Sequence, residues 1–471
     1  MNTTTETKAN LTATEVQAII QAQRDYFATN ATKDLKFRKQ KLEQLKKMII
    51  DNEAAIIEAL YKDLRKHEFE AYGTEIGFVL TDIKKALKNL KAWAKPRKVK
   101  TPPFHYVASS YTQSDPYGNI LIIAPWNYPM QLLLAPLVGV IAAGNTAILK
   151  PSEYAMHTSN LLTKLINSTF NPRYIKVIEG AVSETQLLLN EKFDFIFFTG
   201  STNVGKLVYQ AAAKHLTPVA LELGGKSPCI VDTDIHLDYT AKRIVWGKFI
   251  NVGQTCIAPD YLLVDQKIKD ALVAKIKFYI HEFFGENPQN SEALSRIINE
   301  KHFDRLSTYL KEGTIIEGGQ SDRADKYIAP TLMENVDLEK GIMQEEIFGP
   351  ILPIIEYGNL REAIDFVNSK SKPLALYIFS KNEKRIDRVL NETSAGGVCI
   401  NDTLMHIANG HLPFGGVGDS GIGAYHGRHS FDLFSHEKAV LHRSFLIEEP
   451  IRYAPYKLGL KVIRKVMDWA L

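Results

Sequence analysis

The amino-acid sequence predicts an α/β protein of two domains, each built on a mainly parallel sheet, with a helical segment in front. Three observations predict it. The chain has 471 residues, long enough to form two or more cores. From residue 118 to 213, strand-like and helix-like stretches alternate repeatedly, the pattern of right-handed βαβ crossovers. From about residue 219 to 424 a second α/β region follows with its own strand candidates, and a cleft between two such units is the expected place for a site.

Residues 1–10 are polar and include Glu6, so they lack the basic start and apolar core of a secretory signal. Residues 14–93 carry apolar positions at helical spacing, with breaks expected near 30–33 and at Gly73. Residues 96–115 turn to Pro, Ser, Thr and aromatics, among them Phe104, Tyr106, Val107 and Tyr111, which fits strands or a hairpin bridging larger units.

The long uncharged stretch 120–149 has the hydropathy of a membrane span. Pro125, Asn127, Pro129, Gln131, Pro136 and Asn145 within it argue instead for a buried strand, turn and helix. Its strand is expected at 118–124 and its helix at 130–144. Strand–helix pairs follow at 146–150 with 154–168, 175–179 with 184–189, and 193–198 with 203–213. The strands of the second region are expected at 229–231, 261–264, 351–356, 376–379 and 398–401.

Composition narrows the function classes. Hydrophobic residues at 45% and charged residues at 23% match an ordinary soluble protein. The net charge of +4 is too small to imply nucleic acid, and the basic clusters at 84–100 and 457–465 carry no nucleic-acid motif. Three cysteines build no disulfide framework, which favours a reducing compartment, the cytoplasm. No metal-ligand spacing links them. Cys229 and Cys399 flank apolar runs as core residues would.

Five places offer chemistry, each with a structural alternative. Gly200 and Ser201 follow an apolar strand and open a helix, where unpaired N–H groups suit a phosphate; a plain strand-to-helix turn fits equally, and Gly205 serves close packing on that view. Lys150 and Glu153 end another strand, within reach of ribose hydroxyls or acting only as a helix start with Ser152. Cys256 in Gly253-Gln254-Thr255-Cys256 is a nucleophile if N–H dipoles or cations stabilise its thiolate, and otherwise a small buried hydrophobe. Glu222 interrupts an apolar strand, where burial raises a carboxylate towards a working base or uses it as a backbone acceptor. Asn127, between Pro125 and Pro129, is either an oxyanion donor or a turn asparagine.

Seven motifs in order span nearly the whole chain: Pro125-Trp126-Asn127-Tyr128-Pro129, Leu149-Lys150-Pro151-Ser152-Glu153, Phe198-Thr199-Gly200-Ser201, Leu221-Glu222-Leu223-Gly224-Gly225-Lys226, Gly253-Gln254-Thr255-Cys256, Glu346-Ile347-Phe348-Gly349-Pro350 and Leu412-Pro413-Phe414-Gly415-Gly416. In these the sequence resembles the aldehyde dehydrogenase superfamily, within it the class 3 branch that includes fatty aldehyde dehydrogenases. The short region before Pro125 and the stretch through Ser420-Gly421, Tyr425-His426-Gly427 and Ser430-Phe431 fit that branch.

The resemblance implies a Rossmann-like cofactor domain (118–221, with helical residues 1–95), a second α/β catalytic domain (222–424), and a small β oligomerisation element (96–117 and 425–445). It implies Cys256 as nucleophile, Glu222 as general base and Asn127 as oxyanion donor beside the Cys256 backbone N–H. Trp126, Lys150, Glu153, Gly200, Ser201, Gly205, Leu223, Glu346 and Phe348 are implied to bind the cofactor, NAD⁺ in preference and NADP⁺ as well. The implied reaction oxidises medium- or long-chain aliphatic or aromatic aldehydes to acids in a homodimer. Coenzyme A as acyl acceptor, or a binding protein on an inactive scaffold, are the alternatives. Tyr61, Tyr128 and Met130 are candidates for the approach to the site.

The remaining segment, 446–471, is expected to form an amphipathic tail. Over 457–471, Leu458, Val462, Val466 and Trp469 share one helical face, opposite Lys457, Lys461, Arg464, Lys465 and Asp468. Such a helix suits weak attachment to an anionic membrane surface or docking on the protein itself, and is too short and charged to span a bilayer.

Overall fold

The computed structural model describes residues 11–102, 105, 107–448, 453–456 and 459–470. Phe104 and Tyr106 lie outside the described residues, as do residues 1–10, Lys457 and Leu458.

Two sheets organise the chain. The first has six strands in the order Gly421–Ile422, Val219–Glu222, Phe195–Thr199, Asn119–Ile123, Thr146–Lys150 and Ile175–Val177. Its strands are parallel except Gly421–Ile422, which pairs antiparallel with Val219–Glu222. Period-two alternation sends successive side chains to opposite faces. Ile120 and Ile122 join the core under the helix Gln131–Ala143, while Leu121 and Ile123 pack with Val16, Ile20 and Val208. Every residue of Gln131–Ala143 is buried, which bears out the reading of the uncharged stretch as interior.

The second sheet has seven strands: Thr314–Glu317, Thr331–Glu334, Ile351–Tyr357, Tyr261–Asp265, Pro228–Val231, Ala375–Phe379 and Gly397–Ile400. All five strands expected from sequence are in it. The strand at 219 is not, because its register runs along Ile196–Thr199; it closes the first sheet, and the second begins at Pro228. Residues 421–422 likewise return to the first sheet.

A third sheet orders Arg97–Val99, Ala108–Pro116 and Ser435–Arg443, so the two segments at 96–117 and 425–445 meet in one antiparallel element. The helical front differs from expectation at Gly73. Residues 68–93 run on through a π turn at Tyr72–Ile76 into the helix Gly77–Trp93, with no break. The separations fall instead at Asn52 and after Arg65, whose left-handed φ of 52° ends the helix Glu53–Leu64. Cys229 is buried in the core, whereas Cys399 is only half-buried.

Candidate active site

The site forms at the carboxyl ends of the first sheet. Asn119–Ile123 ends in the loop that carries Asn127, and Thr199 and Glu222 stand side by side in register at the ends of their strands. Cys256 comes from the other unit, just past a tight turn in which Asn251, Val252 and Gly253 have φ of 50°, 51° and 77°. An added Cβ on Gly253 would lie 2.2 Å from the Gly349 carbonyl oxygen, so only glycine fits there.

Two cavities meet at these residues. One, of about 600 Å³, is walled by aromatics including Phe69, Phe78, Trp246, Phe283 and Phe414. The other, of about 760 Å³, is a polar groove along Gly200–Asn203, Gly224–Lys226 and Glu345–Glu346. Leu132, Thr199, Glu222 and Cys256 line both.

Their electrostatics are set by burial. Both carboxyl oxygens of Glu222 and the hydroxyl of Thr199 are buried without a hydrogen-bond partner among the described residues. Burial therefore pushes the Glu222 carboxyl well above its ordinary value. Burial also pushes the Cys256 thiol up, helped by the negative charges of Glu346 and Glu222. The Cys256 and Ile257 backbone N–H groups act in the other direction, as the sequence reading expected of N–H dipoles, but burial outweighs them.

Asn127 is held on all sides. Its Nδ2 donates to the Gln254 carbonyl at 3.0 Å, leaving one N–H of the amide uncommitted among the described residues. Its own carbonyl accepts from Asn251 Nδ2 at 2.8 Å and Lys66 Nζ at 3.3 Å. Lys66 is anchored in turn by Glu75 at 2.5 Å, both fully buried.

The groove suits a dinucleotide. The twelve-residue helix Thr202–Ala213 points its N-terminus into it, Ser201 caps that helix through the Val204 N–H at 3.4 Å, and Lys206 adds a cation. Trp126, Gly200, Ser201, Leu223, Glu346 and Phe348 all line it. Glu346 folds back onto the glycine turn: a Cβ on Gly224 would meet its carboxylate at 2.1 Å. Lys226 fixes this loop, bonding Asp260 at 2.5 Å and the carbonyls of Ile342 and Glu345.

Three expected cofactor residues stand outside the groove lining. Lys150 is buried, donating to the Pro151 carbonyl at 2.8 Å and lying 3.7 Å from Glu153. Gly205 faces Leu223, 2.6 Å from where its Cβ would be, so it lets helix and strand end pack closely. Of the approach candidates, Tyr128 lines the aromatic cavity, bonded to Thr255 at 2.7 Å. Tyr61 is exposed elsewhere and Met130 is in the core. Sequence reasoning missed Thr199, Gln131, Tyr425 and Glu70, which line the aromatic cavity from separate segments. Thr199 alone carried a signal, as the last residue of its strand.

Fold and site together define an α/β oxidoreductase in which a dinucleotide groove and an apolar substrate cavity share a wall at one thiol. The chain belongs to the aldehyde dehydrogenase family, whose model matches residues 2–440, and it is an enzyme of aldehyde oxidation. It is 52% identical over 441 residues to 4,4'-diaponeurosporen-aldehyde dehydrogenase of Staphylococcus aureus (strain NCTC 8325 / PS 47), covering 93% of this chain and 96% of that one. It is 48% identical over 442 residues to the dimeric NADP-preferring aldehyde dehydrogenase of Mus musculus, covering 93% and 98%. A solved structure described as the substrate-bound state of Staphylococcus aureus AldH superposes with a TM-score of 0.94 at 50% identity, covering 96% and 99%.

Proposed function

We propose that Cys256 attacks the aldehyde, Asn127 and the Cys256 backbone N–H hold the oxyanion, and Glu222 serves as the base. One observation carries this reading: Cys256 and the unpartnered Glu222 carboxyl stand in the wall common to both cavities. Cys256 gives up its proton to solvent water as it attacks, so the reacting species is the thiolate. The thiolate then bonds to the carbonyl carbon, and the negative oxygen meets the uncommitted Asn127 N–H. A nicotinamide bound in the groove supplies the hydride acceptor. The acyl group stays on Cys256 as a thioester until water, deprotonated by Glu222, displaces it as the acid. Cys256→Ala should abolish NADH formation, while Glu222→Gln should give one burst and then stall; steady turnover in Glu222→Gln, or a strict need for coenzyme A, would reject the assignment.

The aromatic walls support medium- or long-chain aliphatic and aromatic aldehydes as substrates. NAD⁺ is the favoured cofactor and NADP⁺ is used as well: Glu153, beyond the groove lining at the end of the neighbouring strand, would accept ribose hydroxyls and repel a 2′-phosphate, and Lys150 would have to leave the Pro151 carbonyl to meet that phosphate. The domain reading keeps 1–95 and 118–221 with the cofactor, 222–424 with catalysis, and 96–117 with 425–445 in oligomerisation. A homodimer is supported by Ser435–Arg443, a nine-residue strand at the edge of its sheet and largely exposed. A cytoplasmic location is proposed because three cysteines build no disulfide framework. No helix among the described residues is long and apolar enough to cross a membrane. The helix Leu460–Ala470 is proposed as a weak peripheral contact to anionic lipid, since Leu460, Val462, Ile463 and Met467 are exposed on it.

A further inference from the structure

The aromatic cavity holds two acids, and the reaction above uses one. Glu70 and Glu222 line it, while no lysine or arginine among the described residues does. Glu70 lies just before the π turn Tyr72–Ile76 and faces the Ile250–Gly253 turn that leads to Cys256. Its Oε1 accepts from the Asn251 N–H at 3.0 Å, and no other group among the described residues bonds its carboxylate. Lys66, the cation that acts on it, is already committed to Glu75 and the Asn127 carbonyl and lies 4.3 Å from the Tyr128 ring centre.

Glu70 is therefore an acid on an apolar wall with no counter-ion of its own. Burial raises it to about 7, against the pull of Lys66 and the Asn251 N–H, so the surroundings do not compensate its charge. Accepting one backbone N–H requires no charge, and a glutamine would do it. What the carboxylate adds is a negative potential in the space that the body of an aldehyde occupies.

We propose that Glu70 sets the charge selectivity of the aldehyde cavity, disfavouring aldehydes whose far end is a carboxylate and accepting those that are neutral, cationic or hydrogen-bond donors there. The proposal rests on the reading of Cys256 as the attacking group, which fixes the carbonyl end and leaves the rest of the molecule against this wall. A carboxylate about 5 Å from ionised Glu70, at an effective dielectric of about 20, would be disfavoured by a factor on the order of 100. Glu222 adds to the same repulsion when ionised. An amide or a methyl group of similar size meets none of it.

The test compares benzaldehyde, 4-formylbenzamide and 4-carboxybenzaldehyde, the last two alike in shape and unlike in charge, at about pH 8, where a carboxyl titrating near 7 is mostly ionised. In the unaltered enzyme kcat/KM for the amide should exceed that for the carboxylate at least roughly tenfold. Glu70→Gln keeps the acceptor for Asn251 and removes the charge, so it should narrow that gap about tenfold, read as the amide-to-carboxylate ratio so that any loss common to all three substrates, benzaldehyde included, cancels. Equal kcat/KM for amide and carboxylate in the unaltered enzyme would overturn the proposal, and that comparison stands even if Glu70→Gln does not fold. An unchanged ratio in a folded Glu70→Gln, with all three substrates slowed alike, would reduce Glu70 to a support for the Asn251 turn. The nucleophile reading fails separately, through benzaldehyde-dependent NADH formation by Cys256→Ala.

Discussion

Asn251 holds Asn127 from behind: its Nδ2 donates to the Asn127 carbonyl at 2.8 Å, while the Asn127 amide donates to Gln254 at 3.0 Å. Two loops from different units are thereby locked across the cleft, and the second Asn127 N–H has little freedom to turn away. Fixed donors of this kind stabilise developing charge without reorganising. Asn127→Ala should lower kcat by about 10²–10³-fold. Asn251→Ala, which leaves the donor in place but loosens it, should cost less and act mainly on kcat. Steady-state kinetics on folded variants checks both; an Asn251→Ala effect confined to KM would contradict the coupling.

The buried pair Lys66–Glu75 supports the same loop. Glu75 Oε1 takes the lysine at 2.5 Å, and Oε2 accepts from the Met130 and Gln131 N–H groups at 2.9 and 3.3 Å. Removing one partner of a buried pair leaves an uncompensated charge, which costs about 3–5 kcal/mol. Lys66→Met should therefore lower the urea midpoint strongly, and Lys66→Met with Glu75→Gln should recover part of the loss. If the double variant is no more stable than Lys66→Met, charge burial is not the cause.

Much of this arrangement is legible in the sequence, and the illegible part has a physical reason. Strands such as Asn119–Ile123 and Phe195–Thr199 declare themselves by apolar runs ended by Pro or Gly, and site residues at strand ends, Asn127, Glu222 and Ser201, are read with them. Gly73 misleads because a π turn absorbs the residue that usually breaks a helix. Val219–Glu222 misleads because an apolar strand does not say which sheet it joins. Glu70 and Tyr425 carry no local signal, since their roles arise only when distant segments converge on one cavity.

Glu346 gives a pH signature to stability. Burial, with the charge of Asp260, raises its carboxyl from 4.5 to about 8. The folded protein thus holds this proton where the unfolded chain has released it. The contribution is fully present below the unfolded value, is lost progressively as pH rises, and is gone once pH passes about 8. Thermal midpoints measured from about pH 5 to 8.5 should fall less in Glu346→Gln, which has no proton to lose, than in the unaltered protein. Parallel curves would mean that Glu346 is solvated and titrates near its ordinary value.

The tail decides between a lipid surface and a protein surface. Along Leu460–Ala470, Leu460, Val462, Ile463 and Met467 are exposed beside the exposed Lys461, Arg464 and Lys465, so within one chain these side chains are uncovered. The side chains of Val466 and Trp469 lie outside the described residues. Docking on the same chain leaves no trace among the described side chains, whereas an interface that offers both hydrocarbon and anionic groups satisfies both kinds. Each basic residue near an anionic surface adds about 1 kcal/mol, an attraction that salt screens. In flotation with anionic vesicles at low salt, the full chain should rise with the lipid and a chain ending at Pro455 should not; neutral vesicles or high salt should weaken the binding. If both chains stay in the soluble fraction while the shorter one loses its dimer in light scattering, the helix covers the partner subunit, and the membrane reading fails.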